Sequence, residues 1–290
     1  MAEITPGGSG INLLESTYRP QLATACNEEM RIVNDFDDGN DGVEKIGNVL
    51  NIRKIARVPM TDNVSSTSTG KSLSYTSNTE EVKQVSPRFG YGAVEITRQM
   101  LSRLIASPAL RAAYRKQIAA GIATGIDAFG GQQAASLATS VKGSAAQNFD
   151  KTFLLDGAGA LIENARDLYS PGNGGWAFLK YHPRQWKHVH AISEITNAQI
   201  RGDGEKPVKT GWVWDAYGLK LMETGNVYAA AGVAHNLLHI KESHVIAYNT
   251  KPEFLPAQSF ELVWRLIAFV EYGCGEVWDE YAVDMQTSSS

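Results

Sequence analysis

The sequence predicts an α+β fold that carries a projecting β-hairpin, and three stretches of the chain support it. Residues 49–96 read as two strands around a polar tip, because the segment 61–80 holds eleven Ser and Thr. Residues 108–130 repeat apolar side chains at helical spacing and predict one long helix. Residues 243–248 and 258–285 are rich in Val, Phe, Trp and Tyr and predict long C-terminal strands.

The composition of the N-terminal part predicts an arm followed by a short helix. Residues 1–18 are rich in Gly, Ser, Thr and Pro, which is typical of a flexible segment. Apolar side chains recur at helical spacing over 20–33 and predict the helix. The acidic stretch 35–44 is interpreted as a solvated turn; a bound cation is the alternative, although the spacing of a calcium loop is absent. We expect residues 1–48 to form one unit.

The hairpin 49–96 is expected to overhang its domain and to need a partner. Its polar tip cannot build a core of its own, and each side spans roughly 30 Å at the rise of a strand. An isolated two-stranded ribbon is marginal in water, so we expect it to lie on another copy of the same chain. The residues expected to meet that neighbour are Arg53, Arg57, Ser66, Thr69, Lys71, Tyr75 and Glu80.

The long helix has a start signal, an expected stop and one expected buried stripe. Ser107 precedes Pro108, a pair typical of an N-cap and the first helical position, and Gly130-Gly131 is expected to end the helix. Gly121 and Gly125 each cost on the order of 1 kcal/mol relative to Ala, which predicts that another element packs closely there. The stripe expected to face the core is Leu110, Tyr114, Ile118, Ile122 and Ile126.

Shorter elements are expected in the middle of the chain. Residues 131–151 are small and polar and predict a loop, and the charged stretch 200–210 predicts a turn. The regular elements expected here are a helix over 152–168 and strands over 176–181, 212–216 and 219–222.

Composition and charge place the chain among ordinary globular proteins. At 290 residues it can hold one large domain or two modest ones, with 43% hydrophobic and 20% charged residues. The net charge of −4 argues against a sequence-wide nucleic-acid-binding surface, which would show a basic excess. Cys26 and Cys274 have no motif spacing and are expected to be free buried thiols. No apolar run reaches the ~18 residues of a membrane span and no secretory signal is visible, so we expect a cytoplasm-like compartment.

Apart from the acidic stretch 35–44, the candidate metal ligands are histidines, and none forms a complete set. His235 and His239 have the i, i+4 spacing of a zincin helix, but the Glu that should follow the first His is absent. On a strand these two residues would lie too far apart for one ion. His188 and His190 would share a strand face but lack a third ligand. Nucleophile elbows, Walker loops and dinucleotide fingerprints are absent from the sequence, so we expect no catalytic residue, cofactor or metal ion.

The order of these elements carries a resemblance to a known family. After the helix that runs to Gly130-Gly131 come the stretch 171–183 (PGNGGWAFLKYHP), the stretch 213–226 (VWDAYGLKLMETGN) and residues 235–239 (HNLLH), before the strand-rich tail. This order resembles the major capsid protein of tailed bacteriophages, with its Hong Kong 97-like fold. The resemblance covers nearly the whole chain and rests on element order more than on any short motif.

The resemblance implies a division of the chain into the parts known from that family. The long helix corresponds to the spine helix of the peripheral (P) domain, and the hairpin corresponds to the E-loop. The implied parts are an N-terminal arm with its leading helix (1–48), the E-loop hairpin (49–96), the P domain with the spine helix (97–170), the axial (A) domain (171–242) and the C-terminal strands of the P domain (243–290).

The resemblance also implies a structural, non-enzymatic role. The expected function is a coat subunit that self-assembles, as hexamers and pentamers, into the icosahedral head of a tailed phage. The head would enclose double-stranded DNA without sequence-specific recognition, and it would be assembled in the host cytoplasm. A separate scaffolding protein and a portal are expected partners, a decoration protein is an open point, and no membrane is involved. Crosslinking through Lys71 is not inferred, because its Asn and Glu partners are not identifiable, and hinges are expected around Gly90 and Gly92.

Two alternatives remain open at this point. Within the same fold, the chain would be the shell protein of an encapsulin-like cellular nanocompartment, which an enzyme cargo in place of DNA would indicate. From a different class, the chain would be a metal-dependent hydrolase that uses His235 and His239. Metal analysis of the purified protein separates this last hypothesis from the other two.

Overall fold

The structure is a computed structural model that combines helices with three β-sheets. Among the described residues, no helix is both long enough and apolar enough to cross a membrane. The residues described are 22–39, 43–46, 49–55, 80–137, 140–165, 177–196, 215–255, 258–260 and 263–289.

The helices of these ranges are α1 (22–29), α2 (Arg98–Ala106), α3 (Pro108–Gln132), α4 (Lys151–Ala165), α5 (Trp186–His190) and α6 (Ser193–Thr196). Side-chain caps start α2, α3 and α4; before α4 the Asp150 carboxylate accepts a hydrogen bond from the Phe153 N–H. The Thr97 hydroxyl accepts a hydrogen bond from the Met100 N–H before α2, and the Ser107 hydroxyl accepts one from the Leu110 N–H before α3. The cap predicted at Ser107 is therefore confirmed.

The strands divide into an N-terminal group and a longer C-terminal group. They are β1 (Asp37–Asp38), β2 (Val43–Ile46), β3 (Val49–Ile55), β4 (Glu80–Val85), β5 (Arg88–Thr97), β6 (Val141–Gly143), β7 (Ala177–Tyr181), β8 (Asp215–Ala216), β9 (Leu219–Glu223), β10 (Ala229–Ala230), β11 (Val233–Ile240), β12 (His244–Phe254), β13 (Gln258–Phe260), β14 (Val263–Glu276) and β15 (Ala282–Ser288).

A five-stranded sheet, called the long sheet below, combines both ends of the chain. Its order is β1-β12-β14-β13, and β5 pairs with β14 as well. β5 runs antiparallel to β14 over its whole length, from Arg88 opposite Tyr272 to Thr97 opposite Val263. The long helix α3 packs on this sheet with Ile118, Ile122 and Ile126 buried. The long C-terminal strands predicted from the sequence are confirmed.

A seven-stranded sheet, called the central sheet below, holds the middle of the chain. Its order is β6-β15-β11-β7-β9-β8, with β10 paired to β11. One face is covered by α4, α5 and α6, whose apolar side chains share one buried cluster with alternate residues of the strands. The other face meets the N-terminal segment around Phe36 and the end of α3.

The hairpin of the sequence analysis belongs to a third sheet, and its returning strand is shorter than predicted. Strands β2, β3 and β4 form this three-stranded arm sheet, in which the pairing of β3 with β4 ends where Leu50 faces Val85. Ser86 and Pro87 separate β4 from β5, which belongs to the long sheet. A proline cannot donate to a strand ladder, which accounts for a break at this point. The prediction of one continuous returning strand was wrong.

Two expectations about glycines were also wrong, for related reasons. Gly130 and Gly131 do not end α3, which continues to Gln132; a Cβ on Gly131 would stand 2.4 Å from the Asn226 carbonyl oxygen. Glycine is needed at position 131 because the Asn226 backbone approaches the helix closely there, and the chain remains helical. Gly90 and Gly92 are not at a hinge, because both lie inside the paired part of β5.

The segment expected to be a loop also contains regular structure. Between α3 and α4 the chain forms a 3-10 turn over Gln133–Ser136 and then β6, which adds a parallel edge strand to the central sheet. Small residues suit such short elements as well as they suit loops, so composition alone did not distinguish them.

Replacing either of two glycines of α3 by alanine should change the free energy of unfolding, in opposite directions at the two positions. We expect Gly131→Ala to lower the free energy of unfolding by about 1–3 kcal/mol, because the new Cβ would collide with the backbone of Asn226. Gly121→Ala is the matched control: a Cβ there meets nothing within 4 Å, and alanine favours the helix by about 1 kcal/mol. Urea unfolding of both variants tests this, and equal effects would contradict the described packing.

Candidate subunit interface

An open apolar groove runs between β5 and the first half of α3. Its volume is about 500 Å³, and Tyr91, Val94, Leu110 and Tyr114 are among the side chains that line it. Tyr91 is 71% exposed although it is a large aromatic residue; Phe89, two residues earlier on β5, is 63% exposed but does not line the groove. Contiguous exposed apolar surface of this kind marks a surface that another molecule covers.

The groove continues along the helix past two glycines. A smaller hollow of about 90 Å³ adjoins it and is lined by Gly90, Gly121, Gly125 and Tyr272, among others. A Cβ at Gly121 or Gly125 would meet nothing within 4 Å in the described part of the chain. The element expected to pack on these glycines is therefore not among the described residues of this chain, and the helix surface offers a shallow seat at this point.

The stripe predicted for the spine helix is only partly buried. Ile118, Ile122 and Ile126 are buried in the core, as expected, and Tyr114 is half-buried. Leu110 is 36% exposed, so its assignment to the core was wrong. The reason is the groove itself, which separates the first turns of α3 from β5 and leaves Leu110 on its wall.

Two of the residues predicted to meet a neighbour lie in the arm sheet. Arg53 is in β3 opposite Val82, and Glu80 begins β4 opposite Ile55. Val82 is itself about half exposed, so this flank of the arm presents apolar surface too. The other predicted contact residues, which stay predictions because they lie outside the described residues, are Arg57, Ser66, Thr69, Lys71 and Tyr75.

The base of the arm sheet is fastened to the long sheet. A Cβ on Gly275 of β14 would stand 2.7 Å from the Val85 side chain, so Val85 of the arm packs directly against the backbone of β14. The Lys83 ammonium lies 4.0 Å from the Glu276 carboxylate beside this contact. The direction in which the arm leaves the body is thus set by the Val85–Gly275 contact.

A buried carboxylate joins α3 to the N-terminal segment. Asp127 accepts hydrogen bonds from the backbone N–H groups of Arg31, Ile32 and Val33 at 2.6, 3.1 and 3.1 Å, and from the Asn226 side chain at 3.2 Å. Burial raises the pKa of this carboxyl, and the hydrogen bonds oppose that shift. Asp127 was not predicted from the sequence, because its partners are main-chain groups far away in the sequence.

A lysine and two histidines complete the buried polar region beside it. The Lys180 ammonium pairs with the Asp35 carboxylate, and burial lowers the pKa of this lysine against the opposing attraction of Asp35. His239 and His244 are fully buried, and the Phe36 ring stacks on His244 at 4.9 Å and meets His239 edge-on at 5.2 Å. The Nε2 atoms of both histidines have no hydrogen-bond partner among the described residues.

The buried histidines are uncharged parts of the core. Burial lowers the pKa of His244 to about 3 and lowers that of His239 well below its ordinary value, with the neighbouring His244 and Lys180 adding to the second shift. Acidic groups at hydrogen-bonding distance from these two rings are absent among the described residues. The ring cluster with Phe36 therefore behaves as an aromatic core that can be charged only in acid.

The histidine spacing that suggested a metal site belongs to a strand. His235 and His239 lie on β11, where four residues span roughly 13 Å, so one ion cannot bind both. His235 Nδ1 pairs instead with Asp284 at 2.8 Å. The described residues contain no group of three or more side chains that could hold a metal ion. The expectation of a strand at His188 and His190 was wrong, because both lie on the short helix α5.

Both cysteines are buried and free, as expected. Burial raises the pKa of Cys26 to about 12 and raises that of Cys274 as well, so neither thiol ionises readily. Their reactivity is therefore low, and they act as small core residues.

Comparison with solved structures gives a consistent set of likenesses. The chain is similar to a structure of Mycobacterium phage Che8, with a TM-score of 0.65, 16% identity, and 89% of this chain and 90% of that chain covered. It is similar to the capsid of cyanophage Pam1, with a TM-score of 0.62, 11% identity, and coverage of 100% and 94%. It is also similar to a virus-like particle from Pyrococcus furiosus, with a TM-score of 0.53, 10% identity, and coverage of 93% and 98%. No protein-family model matches the sequence, and no curated protein is significantly similar to it.

The buried histidines predict a loss of stability in acid. The folded state keeps His244 neutral to about pH 3, whereas in the unfolded chain it takes a proton near its ordinary pKa of 6.5. Because the unfolded state then binds more protons, the free energy of unfolding should fall as the pH drops through this window, by roughly 1.4 kcal/mol per pH unit for each such histidine. His244→Phe keeps the stack on Phe36 and should remove one histidine's share of that slope.

Urea unfolding between about pH 6 and 4 measures this slope in both proteins. His239 remains in the variant, so a shallower slope is expected and a flat one is not. An unchanged slope in His244→Phe would show that this residue is not the buried neutral group described above.

Proposed function

We propose that this chain, which has the fold of tailed-phage major capsid proteins, is the coat subunit that assembles into the icosahedral head around the double-stranded DNA genome. The observation that carries the proposal is the open apolar groove beside α3, because a monomer would not leave its wall, with Tyr91 71% and Leu110 36% exposed, in water. The role is mechanical and involves no catalysis. A coat subunit of this kind would be assembled in the host cytoplasm and would then be part of the virion.

In this proposal the arm of one subunit lies in the groove of the next. The arm sheet leaves the body at the Val85–Gly275 contact, and its tip, residues 56–79, would reach over the neighbour. Arg57, Lys71 and Tyr75 are the tip residues that would contribute charge and an aromatic ring to the contact. Each contact can be modest, because many copies held in one shell reinforce each other.

The same proposal includes further partners. Hexamers and pentamers of this chain would form the shell, a separate scaffolding protein would guide it, and a portal would occupy one vertex. The DNA inside would be held without sequence-specific recognition, in keeping with the net charge of −4. Contacts with a decoration protein would fall on the outer surface.

A shell of a cellular nanocompartment is the alternative with the same fold. The likeness to the Pyrococcus furiosus virus-like particle supports it, with a TM-score of 0.53 against 0.65 for the Che8 structure. The two kinds of shell differ in what they enclose. Particles purified from the source would contain DNA if the shell is a phage head, and a protein cargo if it is a nanocompartment. The hydrolase hypothesis has no support, because HNLLH lies on a strand.

The first test is whether the chain forms shells and whether the tip is needed for them. We expect the wild-type chain to give closed particles in negative-stain microscopy. Replacing residues 62–79 by a tight Asn-Gly turn should give a folded monomer, because the polar tip adds little to any core. Unfolding by heat checks that the fold is kept, and normal shells from the shortened chain would exclude the arm as a clamp.

The groove itself is tested at its most exposed aromatic residue. Tyr91→Asp should leave folding unchanged, because the side chain is 71% exposed, and should abolish shells, because a charge would be buried at the contact. Tyr91→Phe is the matched control and should assemble, because it keeps the apolar ring. Sedimentation velocity measures the assembled fraction, and equal assembly of the two variants would contradict a contact in the groove.

A further inference from the structure

We propose that α4 and α5 carry the two complementary halves of a second contact between copies of this chain, separate from the groove. The contact joins the outer face of α4 on one copy to the outer face of α5 on the next. It rests on the proposed function, since both copies must belong to one assembly. The occupant of each face is therefore a second copy of this chain.

The outer face of α4 is an apolar seat with a gap in its middle. Leu155 and Ile162 are 42% and 45% exposed, although the inner side of the helix is buried. They are seven residues apart, which is roughly 10 Å along a helix. Gly159 lies between them, and a Cβ there would meet nothing within 4 Å in the part of the chain that the structure describes. The two side chains thus border a notch about as long as an indole ring.

This seat is bordered by negative charge. Asp156 and Glu163 lie next to Leu155 and Ile162 in the sequence, and both are exposed. No ion pair within the described part of the chain includes either carboxylate. Their charges are available to a cation on another molecule.

The outer face of α5 presents the opposite features. Trp186 is 40% exposed, and its ring stacks on His190 with 4.1 Å between the ring centroids. His190 Nδ1 lies 2.9 Å from the Trp186 main-chain carbonyl oxygen, which keeps the His190 ring beside the Trp186 ring. Exposed Arg184 and Lys187 stand on either side of Trp186 in the sequence. A rigid exposed tryptophan with flanking cations is typical of an interface anchor.

The two faces fit each other but are not joined within one chain. Both helices bury their inner sides in the same cluster on one face of the central sheet, with Leu154 and Leu161 from α4 and Val189 from α5. Among the described residues nothing fills the notch at Gly159, so Trp186 of the same chain does not occupy it. The α4 face of one copy can therefore meet the α5 face of another copy.

Charge reversal on one face tests this contact, and reversal on both faces of the same chain should restore it. The acidic-face variant Asp156→Lys/Glu163→Lys would turn attraction into repulsion and should weaken each contact roughly tenfold. The basic-face variant Arg184→Glu/Lys187→Glu should have the same effect. The variant with all four changes restores opposite charges and should assemble again. Sedimentation velocity and negative-stain microscopy measure rings and shells for each.

The control carries the same change in net charge as the acidic-face variant, at another surface. Glu28→Lys/Glu242→Lys alters two exposed carboxylates on α1 and on the turn before β12, and should assemble like the wild type. Failure of this control would overturn the inference, because net charge and not the contact would then govern assembly. Trp186→Ala should weaken assembly without changing the charge. Thermal unfolding should be the same for all variants, because every altered side chain is exposed or partly exposed.

The outcomes separate the inference from the proposed function. Shells from the wild type that persist in the acidic-face variant would overturn the contact and leave the coat function intact. Failure of the fourfold variant to assemble would also overturn the contact. A wild-type chain that stays monomeric at high concentration would contradict both. We expect assembly to be lost in each single-face variant and to recover in the variant with all four changes.

Discussion

The architecture depends on one buried carboxylate. Asp127 lies near the end of α3 and binds three consecutive backbone N–H groups of the segment 31–33. That segment places Phe36 between His239 and His244 and Asp35 beside Lys180, where the long sheet meets the central sheet. A buried charge without partners would cost several kcal/mol, so the N-terminal segment and the helix must fold together. The relative position of the two sheets, and with it the spacing between arm, groove and outer helices, is held at this junction.

Periodic features of the sequence were sufficient for the type and order of the elements. The apolar repeat predicted α3, the cap at Ser107 predicted its start, and the β-rich tail predicted β12, β14 and β15. The resemblance to tailed-phage capsid proteins is confirmed at the level of the fold. These successes share a cause: periodicity and capping are local, and they act the same way in a helix or strand of any protein. The division into domains and the contacts of the arm tip stay predictions.

The errors arose where one residue type serves two purposes. Gly130 and Gly131 were expected to end the helix, but they admit Val33 and Asn226 at close range and remain helical. Leu110 fits the apolar stripe, but a groove lies in front of it, and the sequence does not show whether an apolar stripe faces the chain's own core or a neighbour. Pro87 was a usable signal for the break between β4 and β5. The partners of Asp127 are main-chain groups, which leave no mark in the sequence.

The pairing of β5 with β14 has a consequence for how the chain is made. β5 lies in the first hundred residues, yet its ladder partner is β14, near the C-terminus, and β1 likewise waits for β12. A ribosome releases the N-terminal strands long before their partners are synthesised, and contacts this distant in sequence form late. The surface around β5 and α3 therefore takes its final form only in a complete chain. Prematurely terminated chains lack β14 and with it that surface, so in the proposed coat function they would be excluded from a growing particle without any separate quality control.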